Sequence, residues 1–216
     1  MSHRTNGNHD VLVAAGGYAS RYSPRYSGPK SLIPIGTHPI LSELLKSIRR
    51  QHPSARILVS TNRTDYLYRT QEICNSHGAE VLVDPGFDST IDLARFAAPE
   101  MAQKFCFIYG HTLLGCEGLT PFMTRSESAA VYRSSTRRAP INIGNRFLEP
   151  PFQIDRCRVL SSMAKTWSEY IDEVHALTVV DTGLPPEPNT WEEQLAYFQL
   201  TLHLNSESDC RNPSVQ

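Results

Sequence analysis

The sequence lacks an excess of charge of either sign, long apolar runs and paired cysteines, and each absence narrows the class of protein. Its 216 residues carry 21 basic and 22 acidic side chains, a formal net charge of −1. The basic stripe of a protein that binds duplex nucleic acid is therefore missing. No apolar run approaches the roughly 18 residues of a membrane span, so we expect no membrane partner. The five cysteines form an odd set without paired spacing, which favours reduced thiols and a cytoplasmic location.

Several common catalytic and binding signatures are also missing. The chain has no Gly-x-Ser-x-Gly segment, the nucleophile elbow of many hydrolases. Cys106, His111 and Cys116 follow one another at five-residue steps, which match no usual zinc spacing. Lys30 lies fourteen residues after Gly16, too far for a Walker loop. A Pro/Ser-rich stretch stands where the helix of a dinucleotide fingerprint would begin, which excludes that motif as well.

The sequence does contain a small-residue turn directly after an apolar run. Residues 11–15 predict a buried strand, and Gly16 and Gly17 follow at once. Glycines at this place let backbone N–H groups come close to an anion, because no side chain intervenes. Arg21 and Lys30 add positive charge to the same segment. The turn is therefore predicted to bind phosphate groups.

The alternation of strands and helices predicts the fold class. A second buried strand is expected at residues 56–61 and further strands at residues 80–83, 104–109 and 129–132. Helices are expected at residues 39–48, 64–77 and 88–98. Strands separated by helices of this length indicate an α/β protein with a mainly parallel, mixed sheet covered on both faces, a three-layer sandwich. Residues 152–181 predict a strand, one helix and a final strand.

The domain organisation follows from the same pattern. We expect a disordered lead-in at residues 1–9, one domain at residues 10–204 and a flexible tail at residues 205–216. Within the domain we distinguish two halves, residues 10–132 and residues 133–204.

The opening of the chain resembles that of the GT-A-type nucleotidyltransferases, which act on sugar phosphates and cofactor precursors. The segments that match are Ala14-Ala15-Gly16, Ser20-Arg21, Pro29-Lys30-Ser31-Leu32-Ile33-Pro34-Ile35 and Pro39-Ile40. Residues 189–195, Asn-Thr-Trp-Glu-Glu-Gln-Leu, match a second, looser motif of the family. The resemblance implies a Rossmann-like sheet. It also implies transfer of a nucleoside monophosphate from a nucleoside triphosphate to a phosphorylated small-molecule acceptor, with release of pyrophosphate. The resemblance further implies that residues 10–132 are the nucleotide-binding half of the domain and residues 133–204 the acceptor half.

The resemblance implies roles for individual residues. Arg21 and Lys30 are the expected catalytic residues, because they would neutralise charge on the reacting phosphates. The expected nucleotide-binding residues are Ala15, Gly16, Gly17, Tyr18, Ala19, Ser20, Asp88 and Ser89. The candidates for acceptor binding are Arg133, Arg137 and Lys165. The basic segment of residues 133–151 is, by composition alone, more typical of a solvated loop.

The metal site is where the sequence departs from the family. After the fourth strand the family usually has Gly-Asp, whose aspartate binds magnesium, whereas this chain has Gly110-His111. Neutral imidazole is a poor ligand for Mg²⁺. His111 could bind Mn²⁺ or Co²⁺, or donate to the phosphates while other groups hold the metal, or mark a pocket that has lost catalysis. Asp181 and Asn189 are the other candidate ligands for the divalent metal.

Two other functions stay open from the sequence. The first is a catalytically degenerate protein of the same fold that binds a nucleotide or a sugar phosphate. The second is a GT-A glycosyltransferase, although the Asp-x-Asp that such enzymes usually carry after the fourth strand is absent and the Pro-Lys element is present.

Overall fold

The computed structural model describes residues 10–19, 26–112, 114, 119–123, 129–133, 141–143, 146–174 and 177–181. In residues 129–133, 141–143, 146–149 and 177–181 it describes the backbone. The strands are β1 (Asp10–Ala14), β2 (Pro34–Ile35), β3 (His38–Pro39), β4 (Arg56–Thr61), β5 (Glu80–Val83), β6 (Lys104–Tyr109), β7 (Ala129–Arg133), β8 (Ile141–Ile143), β9 (Arg146–Asp155) and β10 (Leu177–Asp181). The α-helices are α1 (Ile40–Gln51), α2 (Leu67–Ser76), α3 (Thr90–Ala97), α4 (Thr120–Met123), α5 (Arg156–Ser161) and α6 (Trp167–Glu173).

Eight of these strands form one mixed sheet. Its order is β10-β7-β9-β6-β1-β4-β5, with β8 beside β9. Strand β1 runs parallel to β4 and β6, β4 runs parallel to β5, and β10 runs parallel to β7. Strand β9 is antiparallel to its neighbours β6, β7 and β8. The carboxyl ends of β1, β4, β5 and β6 therefore meet at one edge of the sheet. The predicted mainly parallel α/β sheet is confirmed.

The central strand β1 is covered on both faces. Val11, Leu12 and Val13 are fully buried, although consecutive side chains point to opposite faces. Val11 and Val13 pack in a core that α1 and α2 cover, and Leu12 packs in a second core with α3, α5 and α6. This arrangement explains why β1 is a continuous apolar run rather than an alternating one.

The helices begin and end for local reasons. In α1, the buried side chains Leu41, Leu44, Leu45 and Ile48 form one stripe. The predicted helix at residues 64–77 begins as a 3₁₀ turn, Thr64–Tyr66, before α2. The helix predicted through residue 98 ends at Ala97 and continues as a 3₁₀ turn, Ala98–Glu100, that contains Pro99. No helix in the described ranges is long and apolar enough to cross a bilayer.

Two expectations for the second half of the chain were wrong. The segment of residues 133–151 is not a loop throughout, because it contains β8 and the start of β9. Pro150 and Pro151, which favoured a loop, fit into β9 because the pairing register shifts there: Val131 pairs with Phe152, and Tyr132 already pairs with Glu149. Residues 156–173 form two helices, α5 and α6, instead of one.

Candidate active site

A cavity of about 320 Å³ lies at the edge of the sheet where β1, β4, β5 and β6 end. Open α/β sheets bind their ligands at this edge, and the volume falls at the lower end of the range for small-molecule sites. The lining comes from the turn after β1, the polar residues after β4 and β5, the start of α3, and the end of β6. Lys30 and Ser31 also line the cavity, so that five separate stretches of chain converge on it.

The turn after β1 has three consecutive backbone N–H groups at this cavity. Gly16, Gly17 and Tyr18 line the cavity, and none of their N–H groups has a hydrogen-bond partner within the described ranges. The N–H groups on either side are used, because those of Ala15 and Ala19 donate to carbonyl groups at 2.8 and 3.2 Å. Adjacent backbone N–H groups without a protein partner are donors that an anion uses.

The carbonyl groups from Ala14 at the end of β1 to Gly17 in the turn all accept hydrogen bonds. Four consecutive carbonyls each accept a hydrogen bond from a donor elsewhere in the chain. The Ala14 carbonyl accepts from the Gly110 N–H at 2.8 Å, and the Ala15 carbonyl accepts from Ser31 Oγ at 2.9 Å. The Gly16 carbonyl accepts from Arg63 Nε at 2.8 Å, and the Gly17 carbonyl accepts from the Lys30 N–H at 2.8 Å. The turn is thus held by three segments that are distant in sequence.

Lys30 lies beside the turn. It begins a single 3₁₀ turn, Lys30–Leu32, and its half-buried side chain lines the cavity. Ser31 and Leu32 are buried directly behind it. The residue before Lys30 is held by Tyr26, whose hydroxyl donates to the Pro29 carbonyl at 3.2 Å. Burial, with a smaller contribution from Tyr66, raises the pKa of Tyr26 above its usual value, so this phenol stays neutral.

The sequence reasoning missed three polar residues of the cavity, Asn62, Arg63 and Asp84. Each comes directly after a parallel strand of the sheet, Asn62 and Arg63 after β4 and Asp84 after β5. Polar residues at the carboxyl ends of parallel strands lie where such sheets bind ligands. That signal was available in the sequence and could have found them.

Asn62 fits between two glycines. A Cβ atom added to Gly16 would come 2.7 Å from Asn62 Oδ1, and one added to Gly86 would come 3.1 Å from Asn62 Nδ2. Gly86 also has φ +87°, a conformation that side chains disfavour. Asn62 Oδ1 is buried and accepts no hydrogen bond among the described residues. A buried acceptor without a partner is unusual in a protein interior, and here it borders the cavity.

Asp84 is a buried carboxylate at the same wall. Its Oδ2 accepts a hydrogen bond from the Ser60 hydroxyl at 2.5 Å. Its Oδ1 accepts one from the Gly86 N–H at 2.9 Å. Asp84 is 8 % exposed and Ser60 is fully buried, so the pair fixes the turn after β5 against β4.

Arg63 and Tyr18 form a stacked pair at the opening of the turn. The guanidinium carbon of Arg63 lies 3.6 Å from the centroid of the Tyr18 ring, close enough for a cation–π interaction. Tyr18 is 46 % exposed. Arg63 therefore contacts the turn twice, through this ring and through its bond to the Gly16 carbonyl.

The start of α3 connects the cavity to the second half of the chain. Ser89 caps α3 by accepting from the Ile91 N–H at 3.4 Å, and its hydroxyl donates to the Lys165 carbonyl at 2.9 Å. Next to it, Trp167 Nε1 donates to Thr90 Oγ1 at 2.7 Å. Ser89 and Thr90 line the cavity, and Lys165, whose side chain is exposed, lies beside this wall. Asp88 is exposed and outside the lining.

Comparisons with known proteins agree with this architecture. No protein-family model matches the chain, and no curated protein sequence matches it. Solved structures do: HddC from Yersinia pseudotuberculosis matches at a TM-score of 0.69 and 15% identity, over 89% of this chain and 99% of that one. The inositol-1-phosphate CTP transferase from T. maritima matches at 0.68 and 14%, over 93% and 97%. A nucleotidyl transferase from Methanothermobacter thermautotroptrophicus matches at 0.69 and 15%, over 94% and 100%. The chain has a nucleotidyltransferase-like fold.

His111 lies at the site where the resemblance expects a metal-binding aspartate. It lines the cavity of this nucleotidyltransferase-like fold, and its ring stacks on Tyr109 at 5.6 Å between centroids and 14° between planes. Among the described residues no group of three or more His, Cys, Asp or Glu side chains could hold a metal ion. The nearby carboxylate of Asp84 already accepts two protein hydrogen bonds. These side chains do not form a metal centre by themselves.

The other predicted site residues fall in less described parts of the chain. Ser20, Arg21, Arg137 and Asn189 lie outside the described residues. The backbones of Arg133 and Asp181 pair with each other at the ends of β7 and β10. Since β7 and β9 separate β10 from β6, the backbone of Asp181 lies about three strand spacings of ~4.8 Å each from that of β6. Acceptor binding by Arg133 and Arg137 and metal binding by Asp181 and Asn189 stay predictions.

Proposed function

We propose that the protein is a nucleotidyltransferase that transfers a nucleoside monophosphate from a nucleoside triphosphate to a phosphorylated small-molecule acceptor. The observation that carries the proposal is the row of N–H groups of Gly16, Gly17 and Tyr18, which face no protein acceptor within the described ranges and lie at the cavity. The oxygen atoms of a polyphosphate are the hydrogen-bond acceptors that these N–H groups need. The half-buried Lys30 lines the same cavity and adds a positive charge.

The reaction needs positioning and charge neutralisation more than covalent chemistry. An oxygen of the acceptor phosphate attacks the α-phosphorus in line. The bond from the α-phosphorus to the bridging oxygen breaks, and that oxygen leaves with pyrophosphate. We assign the N–H groups of Gly16, Gly17 and Tyr18 to the leaving phosphates and Lys30 to the α-phosphate. The resemblance adds Arg21 as a second cation for the leaving group, because a guanidinium binds two oxygens at once.

The class of substrates is supported by the structural neighbours. HddC from Yersinia pseudotuberculosis has been crystallised with GMP-PN, and its structure in that complex matches this chain at a TM-score of 0.68 and 16% identity. The neighbour from T. maritima is an inositol-1-phosphate CTP transferase. We infer that this chain likewise takes a nucleotide in the cavity and a small phosphorylated acceptor beside it. Lys165, next to the wall formed by Ser89, is our candidate for the acceptor side.

A divalent cation belongs to this proposal as an expectation from the resemblance. When bound, it would neutralise charge on the triphosphate. Of the described residues, only His111 is at the expected position and would contribute to such a site together with groups from elsewhere in the chain.

His111 also supports the second candidate, a protein of the same fold that binds nucleotides without turning them over. The two functions differ in one measurable product, pyrophosphate, which only the enzyme releases.

The experiment has two steps. Purified protein is first screened for stabilisation by ATP, GTP, CTP and UTP with Mg²⁺, Mn²⁺ or Co²⁺. The stabilising nucleotide is then incubated with a panel of sugar 1-phosphates and other phosphorylated acceptors, and pyrophosphate is measured.

The two measurements separate the possibilities. The enzyme releases pyrophosphate only when an acceptor is present. A binding protein shows the thermal shift alone. A glycosyltransferase is instead stabilised by nucleotide diphosphate sugars and releases no pyrophosphate. If no nucleotide stabilises the protein, the proposed function is wrong.

A further inference from the structure

We propose that Ser31 and Arg63 are positioning residues that orient the phosphate-binding N–H groups of Gly16 and Gly17. The proposal rests on the proposed function, because it assigns these N–H groups to a polyphosphate. Neither residue has to touch the ligand. Each acts through a carbonyl group of the turn, by the hydrogen bonds Ser31 Oγ to Ala15 at 2.9 Å and Arg63 Nε to Gly16 at 2.8 Å.

The connection between carbonyl and N–H follows from the peptide bond. A carbonyl group and the N–H of the next residue belong to one rigid, planar trans unit and point in opposite directions. The bond from Ser31 to the Ala15 carbonyl therefore directs the Gly16 N–H. In the same way, the bond from Arg63 to the Gly16 carbonyl directs the Gly17 N–H. In both cases the held carbonyl faces the donor and the N–H faces the opposite way.

External donors are needed here because the turn has little local restraint. Glycine has the widest choice of backbone angles of all residues. A Cβ at Gly17 would meet no atom within 4 Å, so packing does not hold this residue. Donor groups that are fixed before the ligand arrives remove the cost of ordering them on binding. The two side-chain bonds are the part of this restraint that substitution can remove.

Both donors are themselves well fixed. Ser31 is 2 % exposed and follows Lys30 in the 3₁₀ turn, so its hydroxyl has a defined place. The guanidinium of Arg63 rests on the Tyr18 ring at 3.6 Å, which sets the direction of Nε. Among the described residues its terminal nitrogens make no hydrogen bond, so the bond from Nε is the polar contact by which Arg63 is tied to the turn.

The third N–H group has an equivalent restraint made by the backbone. The Lys30 N–H donates to the Gly17 carbonyl at 2.8 Å, and the Tyr18 N–H belongs to the same peptide unit. Since no side chain makes this bond, it persists in every variant of Ser31 or Arg63. The loss expected from each variant is therefore partial.

The test compares variants that remove a donor with variants that keep one. Ser31→Ala and Arg63→Gln remove the two bonds, whereas Ser31→Thr keeps a hydroxyl. Arg63→Lys keeps the charge but lacks the donor at Nε. Ser47→Ala and Arg69→Gln are the controls, since Ser47 Oγ is unpaired among the described residues and Arg69 is exposed on α2. Calorimetric titration gives the Kd for inorganic tripolyphosphate, for the nucleoside triphosphate that stabilises the wild type best, and for the matching nucleoside.

We expect Ser31→Ala, Arg63→Gln and Arg63→Lys each to weaken binding of both polyphosphates by about 5- to 30-fold, the equivalent of one well-placed hydrogen bond. Nucleoside binding should change by less than about twofold, as should all binding by Ser31→Thr and the two controls. An equal loss for nucleoside and triphosphate indicates general damage and contradicts the proposal. Wild-type affinity in Arg63→Lys also contradicts it, because charge rather than direction would then matter.

The outcomes separate this inference from the function on which it rests. If the wild type binds a nucleoside triphosphate and the Arg63 variants bind it equally well, only the positioning role is wrong. If the wild type binds no triphosphate, the proposed function fails as well. Arg63 is half-buried near the surface, so its variants provide the test even where Ser31→Ala folds poorly.

Discussion

The carboxamide of Asn62 lies so close to Gly16 that an added Cβ would come 2.7 Å from Asn62 Oδ1. The turn after β1 and the end of β4 are therefore shaped to each other. Gly16 is needed to make room for Asn62, in addition to any contact between its N–H and a ligand. Gly17, where a Cβ would meet nothing within 4 Å, lacks this constraint.

The first prediction compares alanine at these two glycines. Gly16→Ala should displace the Asn62 carboxamide and weaken nucleotide binding by about tenfold or more, at a stability cost of about 1–3 kcal/mol for overpacking. Gly17→Ala should leave the free energy of unfolding within about 0.5 kcal/mol of the wild type. Urea unfolding and nucleotide titration measure both quantities. Equal unfolding free energies for the two variants would show that Asn62 does not prevent a side chain at residue 16.

A larger side chain at Gly17 tests the approach of phosphate itself. Gly17→Val should fold but bind triphosphate more weakly than Gly17→Ala, because a β-branched side chain blocks access to the neighbouring N–H groups. Nucleotide affinity equal to that of the wild type in folded Gly17→Val would place the phosphates elsewhere in the cavity.

The second prediction concerns Asp84, which holds the turn after β5 through Ser60 and Gly86. Asp84→Ala leaves two donors without their acceptor and should lower the free energy of unfolding by about 1–3 kcal/mol. The control is Asp88→Ala, since Asp88 is exposed and outside the cavity lining, and it should change stability by less than about 0.5 kcal/mol. Denaturant unfolding monitored by circular dichroism measures the free energy of unfolding of both variants. Similar losses in both variants would contradict the role given to Asp84.

The third prediction concerns Lys30. Lys30→Ala should lower the turnover rate roughly 10²–10³-fold, the usual effect of removing one preorganised charge or donor from a transition state. Its backbone bond to the Gly17 carbonyl remains, so the turn keeps its shape and stability changes little. Lys46→Ala on α1, where the side chain is exposed, is the matched control. Near-wild-type pyrophosphate release by Lys30→Ala would exclude the mechanism proposed for this residue.

The fourth prediction concerns the choice of metal. His111→Asp offers a hard oxygen ligand in place of imidazole and should raise turnover with Mg²⁺ relative to the wild type. The wild type should favour Mn²⁺ or Co²⁺, and the variant should reverse that order. Pyrophosphate release is measured for both proteins with each metal, and metal-free samples provide the baseline. Identical metal profiles would show that residue 111 does not contact the metal.

Much of the first half of the fold could be predicted because its signals are local. Strands β4, β5 and β6 are short apolar runs, and α1 carries its apolar stripe within twelve residues. Strands β8 and β9 could not be recognised in the same way. Pro150 and Pro151 are tolerated there because of an irregular register with β7, which is a property of the pairing and not of the segment.

The sequence by itself determined the turn after β1 and the presence of Lys30 nearby, since two adjacent glycines behind a buried strand favour a close backbone approach to an anion. Only the tertiary structure decided which residues complete the cavity. Arg63 reaches the Gly16 carbonyl across 47 positions because β4 lies beside β1 in the sheet. Asn62 and Asp84 join it because β4 and β5 end at the same edge. Strand order depends on pairing between distant segments, and no local pattern specifies it.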